Sequence, residues 1–383
     1  MILLDHLLEI SDMAIKTPGK YFRAEHNGPY NDPETDVRIK SHWCITLGKV
    51  YEITGQSKYL DQINILADYL ISNEARPRGY SFHHRSCDSK DNCNGLIGQA
   101  WTFEALAYAS LVSGEEKYVL KAGEVFFQHT FNPEFSLWHR LEIDGTNLSI
   151  DPTFNHQLWF AACASMLHTT GFEQINKRVI CFLDSLHENL TVLDNGLIYH
   201  LIKNKKIGNN FDFYQVYKIK KAIKRFLFLF RKRSRVIDDE IRKKKEKMLY
   251  KSVGYHHFNM YAFAILKQSI PNHPFWKSTQ FSRSVNYLIS DEFKNSLLNN
   301  IYGYSYNPPG FEIPYALSIL TNKNNKDLLK LSSWWVNEQF RKCYNIKTKM
   351  MDRNTDDPLT HTARIYEIAR LPVITLKAIN VQY

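Results

Sequence analysis

The chain has 383 residues, a formal net charge of +10 at pH 7 and an aromatic content of 14%. This length is enough for a large hydrophobic core, and no apolar run is long enough to cross a membrane. Its six cysteines lack a metal-ligand spacing, so we expect no zinc site. Cys87 and Cys93 are near enough in sequence to form a bridge, but three of the others lie in predicted helices, which indicates reduced, buried thiols. The first residues carry no basic region ahead of an apolar stretch, which predicts a cytoplasmic protein without a signal peptide.

Short connector segments repeat one another in the first half of the chain. They are residues 54–60 (TGQSKYL), 113–119 (SGEEKYV) and 170–175 (TGFEQI), and each closes an apolar run and opens an amphipathic one. Gly55, Gly114 and Gly171 stand where a helix needs a left-handed C-cap, and asparagine takes that place in a fourth copy at 321–324. The repeat predicts a series of stacked helical hairpins.

Six apolar runs follow this period along the whole chain. They begin near Asp36, Asn92, Pro152, Tyr250, Asn307 and Asp356. Only the third interval is unusually long, and it contains the basic segment 203–251. The run 95–112 is apolar on every side, as in an enclosed inner helix, whereas 57–73 has a single apolar stripe, as in an outer helix. We therefore predict an all-α fold, an (α/α)6 toroid of six helical hairpins, as one domain over 1–383 interrupted by 203–251.

Short return connections between each outer helix and the next inner helix are rich in aromatic residues and histidine. They are residues 79–84, 135–139, 195–200 and 302–306. In a ring of hairpins, all of them emerge at the N-terminal ends of the inner helices. That end is the predicted site, because loops on a rigid scaffold carry function and helix N-termini favour anionic groups.

The segment 203–251 holds 18 lysines and arginines against five acids, so the rest of the chain carries a net charge of about −3. Within it, residues 222–230 are rich in large apolar groups and are flanked by basic clusters. This pattern over 218–235 is typical of a helix on an anionic membrane surface. A solvated charged hairpin is an equal alternative, and nucleic acid is a less favoured partner.

Carboxylates at the predicted mouth are candidates for acid–base chemistry on a sugar. Glycoside hydrolysis needs two of them, one protonated and one ionised. We expect Glu312, Asp357 and Asp151 to be the candidates for these carboxylates. Glu312 stands in the first turn of the fifth inner helix, beside an apolar wall that raises its pKa. Each has an alternative structural role, since Glu312 can compensate the helix dipole and Asp357 and Asp151 precede prolines that begin helices.

Histidines offer a second mechanism. His257 opens the fourth inner helix and His361 opens the sixth, so the two can face one another across a ring and transfer protons to and from a sugar carbon. The remaining candidates are expected to bind substrate, with Trp101, Trp138 and Tyr306 as stacking platforms. The other expected binding residues are His84, Gln99, His139, His156, Gln157 and Arg364. No metal or cofactor is indicated.

The hairpin count, the connectors and the return loops together resemble the six-hairpin glycosidase superfamily, over nearly the whole chain except 203–251. Residues 94–104 (NGLIGQAWTFE) and 307–315 (NPPGFEIPY) resemble a subgroup associated with bacterial and archaeal polysaccharide or surface-glycan assembly. The superfamily includes glycoside hydrolases, lyases and N-acylglucosamine 2-epimerases. For the epimerases, the resemblance implies roles for His257, His361 and Arg364.

Three functions follow as hypotheses. The first is a glycoside hydrolase acting on an oligosaccharide or lipid-linked glycan, associated with the inner face of the membrane. The second is a sugar epimerase or isomerase, and the third is a glycan-binding scaffold without catalysis. The sequence indicates neither the sugar nor the oligomeric state.

Overall fold

The structure, a computed structural model, describes residues 1–168, 171–203 and 231–383, with the backbone alone over 231–241. The basic and apolar residues 218–230 of the predicted membrane segment lie outside the described residues. Among the helices of the described ranges, none is long and apolar enough to span a membrane.

Helices account for most of the described chain. The α-helices are α1 (Leu3–Lys16), α2 (Pro18–Tyr21), α3 (Val37–Thr54), α4 (Ser57–Ile71), α5 (Gly95–Ser113), α6 (Glu116–Gln128), α7 (Phe154–Ala164), α8 (Phe172–Asp184), α9 (Leu186–Asn189), α10 (Arg231–Ser269), α11 (Thr279–Leu288), α12 (Asp291–Leu297), α13 (Pro309–Leu320), α14 (Asn325–Cys343), α15 (Pro358–Ala363) and α16 (Val373–Ala378). The 3-10 helices are Gly28–Tyr30, Pro274–Lys277 and Arg364–Arg370. A small antiparallel sheet joins β1 (Phe131–Asn132), β2 (Leu137–Leu141) and β3 (Asn147–Ile150).

The inner helices form a closed ring. Helix α3 packs on α5, α5 on α7, α7 on α10, and α10 on α13. Helix α13 then packs on the 3-10 helix Arg364–Arg370, which returns to α3. The predicted all-α toroid is thereby confirmed, with each inner helix starting within a few residues of its expected position except the fourth.

The fourth inner helix differs from the prediction at its start. Its apolar run begins near Tyr250, but α10 is already helical from Arg231. Buried positions begin at Ser252, whereas the preceding turns, Arg242 to Lys247, are exposed. The last part of the basic segment is therefore a continuous helical extension of the inner helix, since its lysines and arginines are good helix formers.

The hairpin connectors show where glycine was needed. Gly55 and Gly114 cap α3 and α5 in the left-handed conformation, as predicted. Gly171 is also left-handed (φ 85°), but it precedes α8, because α7 already ends at Ala164. The fourth connector is extended at Thr321, and the expectation of a left-handed asparagine there is wrong. Asn324 instead caps α14 by accepting a hydrogen bond from the Asp327 N–H.

Candidate functional site

A cavity of about 210 Å3 lies at the N-terminal ends of the inner helices. Side chains of α5, α7 and α10 line it with the N-terminal segment 27–32 and the residues before α13. Its rings are Tyr30, Trp101, Tyr255, Phe258 and Tyr306. The volume is below the roughly 300–1,000 Å3 of drug-sized ligand sites, so it suits one small polar unit. A wider groove of about 630 Å3 adjoins it and shares Arg85, Lys90, Thr153 and His156 with it.

A histidine–carboxylate pair borders this cavity. The His156 Nδ1–H donates to Asp151 Oδ2 at 2.8 Å, and the His156 side chain is 24% exposed. Asp151 is buried and also accepts from the Leu96 N–H (3.1 Å) and the Thr153 N–H (3.0 Å). Burial opposes its charge, but the His156 ring and the backbone donor lower the pKa of Asp151 to about 2. Asp151 is therefore a fixed anion that orients His156.

Gly95 makes room for this pair. It has a φ of +59°, and a Cβ built on it would lie 2.6 Å from Asp151 Oδ2 and 2.7 Å from His156 Nδ1. A side chain at this position would collide with both groups, in a backbone conformation that favours glycine in any case. The start of α5 is thus shaped around the His156–Asp151 pair.

A second histidine, His200, lines the same cavity from the return loop before the basic segment. It is 4% exposed, and its Nδ1 has no hydrogen-bond partner among the described residues. Burial lowers the pKa of His200 well below its ordinary value, and the positive charge of Lys251 lowers it further. His200 is therefore neutral in the folded protein and able to donate a hydrogen bond.

Three of the sequence-predicted residues meet behind the cavity wall. Glu312 of α13 pairs with His257 of α10 and with Arg364, which also binds Glu367. Arg364 donates to Asn307 Oδ1 at 2.8 Å, and Asn307 borders the cavity. We call Glu312, His257, Arg364 and Glu367 the Arg364 cluster, and none of its side chains is more than 1% exposed.

Burial controls protonation in the Arg364 cluster. It raises the pKa of Glu312 and of Glu367, against the lowering effect of the Arg364 guanidinium. It also lowers the pKa of His257 well below its ordinary value, with Arg364 adding to the effect. His257 Nε2 has no partner among the described residues. The cluster therefore holds two carboxyl groups around one cation, with a neutral histidine at its edge.

The aromatic side chains of the cavity wall pack on a second buried ion pair, Arg38–Glu34. Arg38 Nη1 lies 3.1 Å from Glu34 Oε1, and the guanidinium stacks 4.2 Å from the Trp101 ring centroid and 5.8 Å from that of Tyr306. Burial raises the pKa of Glu34 to about 7 although Arg38 opposes the shift. Trp101 and Tyr306 thus border the cavity on one face and cover a charged pair on the other.

Asp357 and His361 lie apart from His257. Asp357 is the N-cap of α15 and accepts from the Thr360 N–H at 3.0 Å, while burial raises its pKa. The His361 Nδ1–H donates to Met351 O at 2.9 Å, and Gln339 Nε2 of the outer helix α14 lies 3.3 Å from His361 Nε2. Both His361 nitrogens are therefore engaged away from the cavity.

Other expected binding residues hold the return loops in place. Gln99 accepts from the Phe82 N–H at 2.8 Å and donates to Phe82 O at 3.0 Å. Gln157 does the same for Trp138, at 2.9 and 2.7 Å. Each glutamine satisfies both backbone groups of one loop residue, which fixes the loop to the following inner helix.

The remaining expected ligands of the sugar are not on the cavity wall. Trp138 is fully buried and packs against Phe126, Phe160 and Phe182. His139 donates from Nδ1 to Leu148 O at 2.8 Å within the sheet. His84 is buried and hydrogen-bonded to Thr102 Oγ1 at 3.0 Å, with its ring 6.3 Å from that of Trp101.

Sequence reasoning did not select Asp32, His200 or Lys251, which all line the cavity. A signal for Lys251 exists, because Lys251, Tyr255 and Phe258 recur at the spacing of one helix face. No comparable signal exists for Asp32, which reaches the site from an irregular segment. Among the described residues, no group of three or more histidine, cysteine or acidic side chains is arranged to hold a metal ion.

Comparison with known proteins identifies the family of this chain. No family model matches the chain. The archaeal glycosylation protein Q of Haloferax volcanii is 39% identical over 348 residues, which are 91% of this chain and 91% of that protein. The chain belongs to the archaeal glycosylation protein Q family. This agrees with the resemblance to proteins of surface-glycan assembly.

Solved structures with the same fold include sugar-acting enzymes at very low sequence identity. Cellobiose 2-epimerase from Bacillus thermoamylovorans B4167 has a TM-score of 0.61 and 11% identity, over 92% of each chain. Unsaturated glucuronyl hydrolase from Bacillus sp. GL1 has a TM-score of 0.60 and 11% identity, over 98% of each chain. The fold is that of the six-hairpin glycosidases.

Proposed function

We propose that this protein is a carbohydrate-active enzyme of glycan biosynthesis that transfers protons on a sugar with His156 as its acid–base group. The observation that carries the proposal is the His156–Asp151 pair at the cavity. Because Nδ1 donates to a fixed carboxylate, Nε2 is the ring nitrogen left for a ligand. A histidine oriented in this way is a standard general acid–base group.

The reaction class that this geometry favours is isomerisation or epimerisation. Proton abstraction next to a sugar carbonyl needs a base and a donor that stabilises the negative oxygen. His156 supplies the base, and neutral His200 on the same cavity supplies the donor. The family relative named as a glycosylation protein and the fold neighbour named as an epimerase support this reading.

Deuterium incorporation tests the proposal across a range of candidate sugars. A panel of hexoses and disaccharides is incubated with the enzyme in D2O and followed by NMR. We expect a carbon-bound proton to exchange for deuterium without cleavage of a glycosidic bond. Exchange at the wild-type rate in His156→Gln would exclude His156 as the base.

Glycoside hydrolysis is the second candidate, because burial raises the pKa of Glu312 while Asp151 beside the cavity stays ionised. A carboxyl that stays protonated is what a general acid requires. This reaction would release new reducing ends and depend on Glu312. A Glu312→Gln variant that folds and still cleaves at the wild-type rate would remove it from the mechanism.

We further propose peripheral attachment to anionic membranes through residues 218–235. The support is the sequence of that segment and the exposed basic turns of α10 that follow it. Deletion of 205–249 should abolish salt-sensitive cosedimentation with vesicles containing anionic lipid. Unchanged cosedimentation would contradict the proposal, and vesicles of neutral lipid alone are the control.

A further inference from the structure

Lys251 holds a positive charge at the cavity inside a group of aromatic rings. Its Nζ lies 4.8 Å from the ring centroid of Tyr30, 5.6 Å from that of Tyr255 and 5.7 Å from that of Tyr302. The hydroxyls of Tyr30 and Tyr255 are hydrogen-bonded to each other at 2.8 Å. Electron-rich ring faces tolerate a cation but do not neutralise it.

The Lys251 amine makes no ion pair or hydrogen bond with any side chain that the structure describes. Burial, with the positive charges of Lys90 and Lys247 added, lowers the pKa of Lys251 to about 8. The amine is still mostly protonated at neutral pH. A partly buried cation without an acid partner is costly to folding, which points to a partner that arrives with the ligand.

The charges around Lys251 also favour an anion. Arg85, Lys90 and Lys251 line the cavity, against Asp32 as the one acid of its described lining. Asp32 is already engaged, with Lys90 Nζ at 2.6 Å and Arg85 Nη1 at 3.5 Å. Arg85 is also paired with Asp91 Oδ1 at 3.0 Å, so Lys251 is the cation of the described lining that has no acid partner there. The cavity therefore carries an unbalanced positive charge at Lys251, although the chain outside 203–251 has a net charge of about −3.

We propose that the cavity binds an acidic sugar, whose carboxylate or phosphate group pairs with the Lys251 amine. The inference rests on the proposed function and specifies its substrate class. His156 and Lys251 line one cavity of about 210 Å3, so an anionic substituent held by Lys251 keeps the same sugar unit within reach of His156. The adjoining groove of about 630 Å3 has room for the rest of a longer glycan.

Equilibrium binding to the full-length protein tests this inference. The probes are D-glucuronate, D-galacturonate and D-glucose 1-phosphate, each compared with its neutral sugar at constant ionic strength by calorimetry or NMR. We expect at least one acid to bind about tenfold tighter than its neutral counterpart, the usual effect of one charge-assisted contact. The uronates and the sugar phosphate distinguish a carboxylate from a phosphate as the recognised group.

Variants of α10 connect the preference to Lys251. Lys251→Met should reduce the affinity for the acid to that for the neutral sugar, and Lys251→Arg should retain most of the preference. Lys247→Met removes the same charge from an exposed position one turn earlier and should leave the preference intact. Equal binding of acid and neutral sugars, no binding of any acid at millimolar concentration, or an unchanged preference in Lys251→Met would overturn the inference.

The binding measurement separates this inference from the proposed function. Selective acid binding that depends on Lys251, without deuterium exchange on any bound sugar, would contradict the proposed chemistry and leave the binding site standing. Deuterium exchange on a neutral sugar without any preference for acids would support the proposed chemistry and contradict the acid-binding site.

Discussion

The His257–Glu312 and His156–Asp151 pairs lie in one toroid, and their surroundings make them different. His257 and Glu312 are wholly buried, whereas His156 is 24% exposed at the cavity and Asp151 lies behind it. Burial raises the pKa of Glu312, but the His156 ring and the Thr153 N–H lower the pKa of Asp151. The comparison shows that residue type and pairing do not define a catalytic group, because access and protonation decide what the pair can do.

The strongest test of this contrast is loss of His156. His156→Gln should lower turnover by about a hundredfold to ten-thousandfold, the usual contribution of general acid–base catalysis. Its unfolding free energy should fall by at most about 2 kcal/mol, the contribution of the pairing with Asp151, so the variant should still fold. The matched control is His139→Gln, which removes a return-loop histidine that does not line the cavity and should keep its activity. Similar activity losses in both variants would contradict a specific catalytic role for His156.

Loss of Arg364 tests the structural role of the Arg364 cluster. Arg364→Met leaves Glu312 and Glu367 buried without their shared cation, so we expect a loss of about 3–5 kcal/mol in unfolding free energy. Chemical denaturation measures this value. Arg341→Met breaks an exposed pair with Glu338 on α14 and should cost less than about 1 kcal/mol. Equal losses in the two variants would contradict the assignment of a buried cluster.

Removing the positive charge of Lys251 should raise the unfolding free energy, whereas removing that of Arg364 lowers it. The folded protein lowers the pKa of Lys251 from 10.5 to about 8, so the unfolded chain binds the proton more tightly and stability rises with pH between those values. Lys251→Met should therefore raise the unfolding free energy at pH 7 by up to about 3 kcal/mol. Thermal and chemical denaturation at pH 7 and pH 10 check this. Lys247→Met should show no such gain, and destabilisation by Lys251→Met would indicate a structural role.

The unfolding free energy at acidic pH tests whether Asp151 is ionised in the folded protein. Its folded pKa of about 2 lies below its ordinary value of 3.8, so it stabilises the fold above pH 4 and loses this contribution as the pH falls toward 2. The contribution is about 2 kcal/mol. We expect the difference in unfolding free energy between wild type and Asp151→Asn to shrink by that amount between pH 5 and pH 2. A constant difference over this range would show that Asp151 is not a stabilised anion.

The sequence alone determined the ring. The connectors at Gly55 and Gly114, the fully apolar run of α5 and the single stripe of α4 predict paired inner and outer helices, because backbone conformation and helix periodicity are local properties. The same local reasoning placed Glu312 in the first turn of α13.

Tertiary structure decided which polar side chains share the cavity. An inner helix is buried on all sides, so its periodicity does not indicate whether a polar residue faces the axis, a neighbouring helix or the outer layer. His257 therefore meets Glu312 behind the wall, His361 meets Gln339 of the outer layer, and Lys251 meets the aromatic rings of the cavity. These contacts join segments far apart in sequence, and only closure of the ring brings them together.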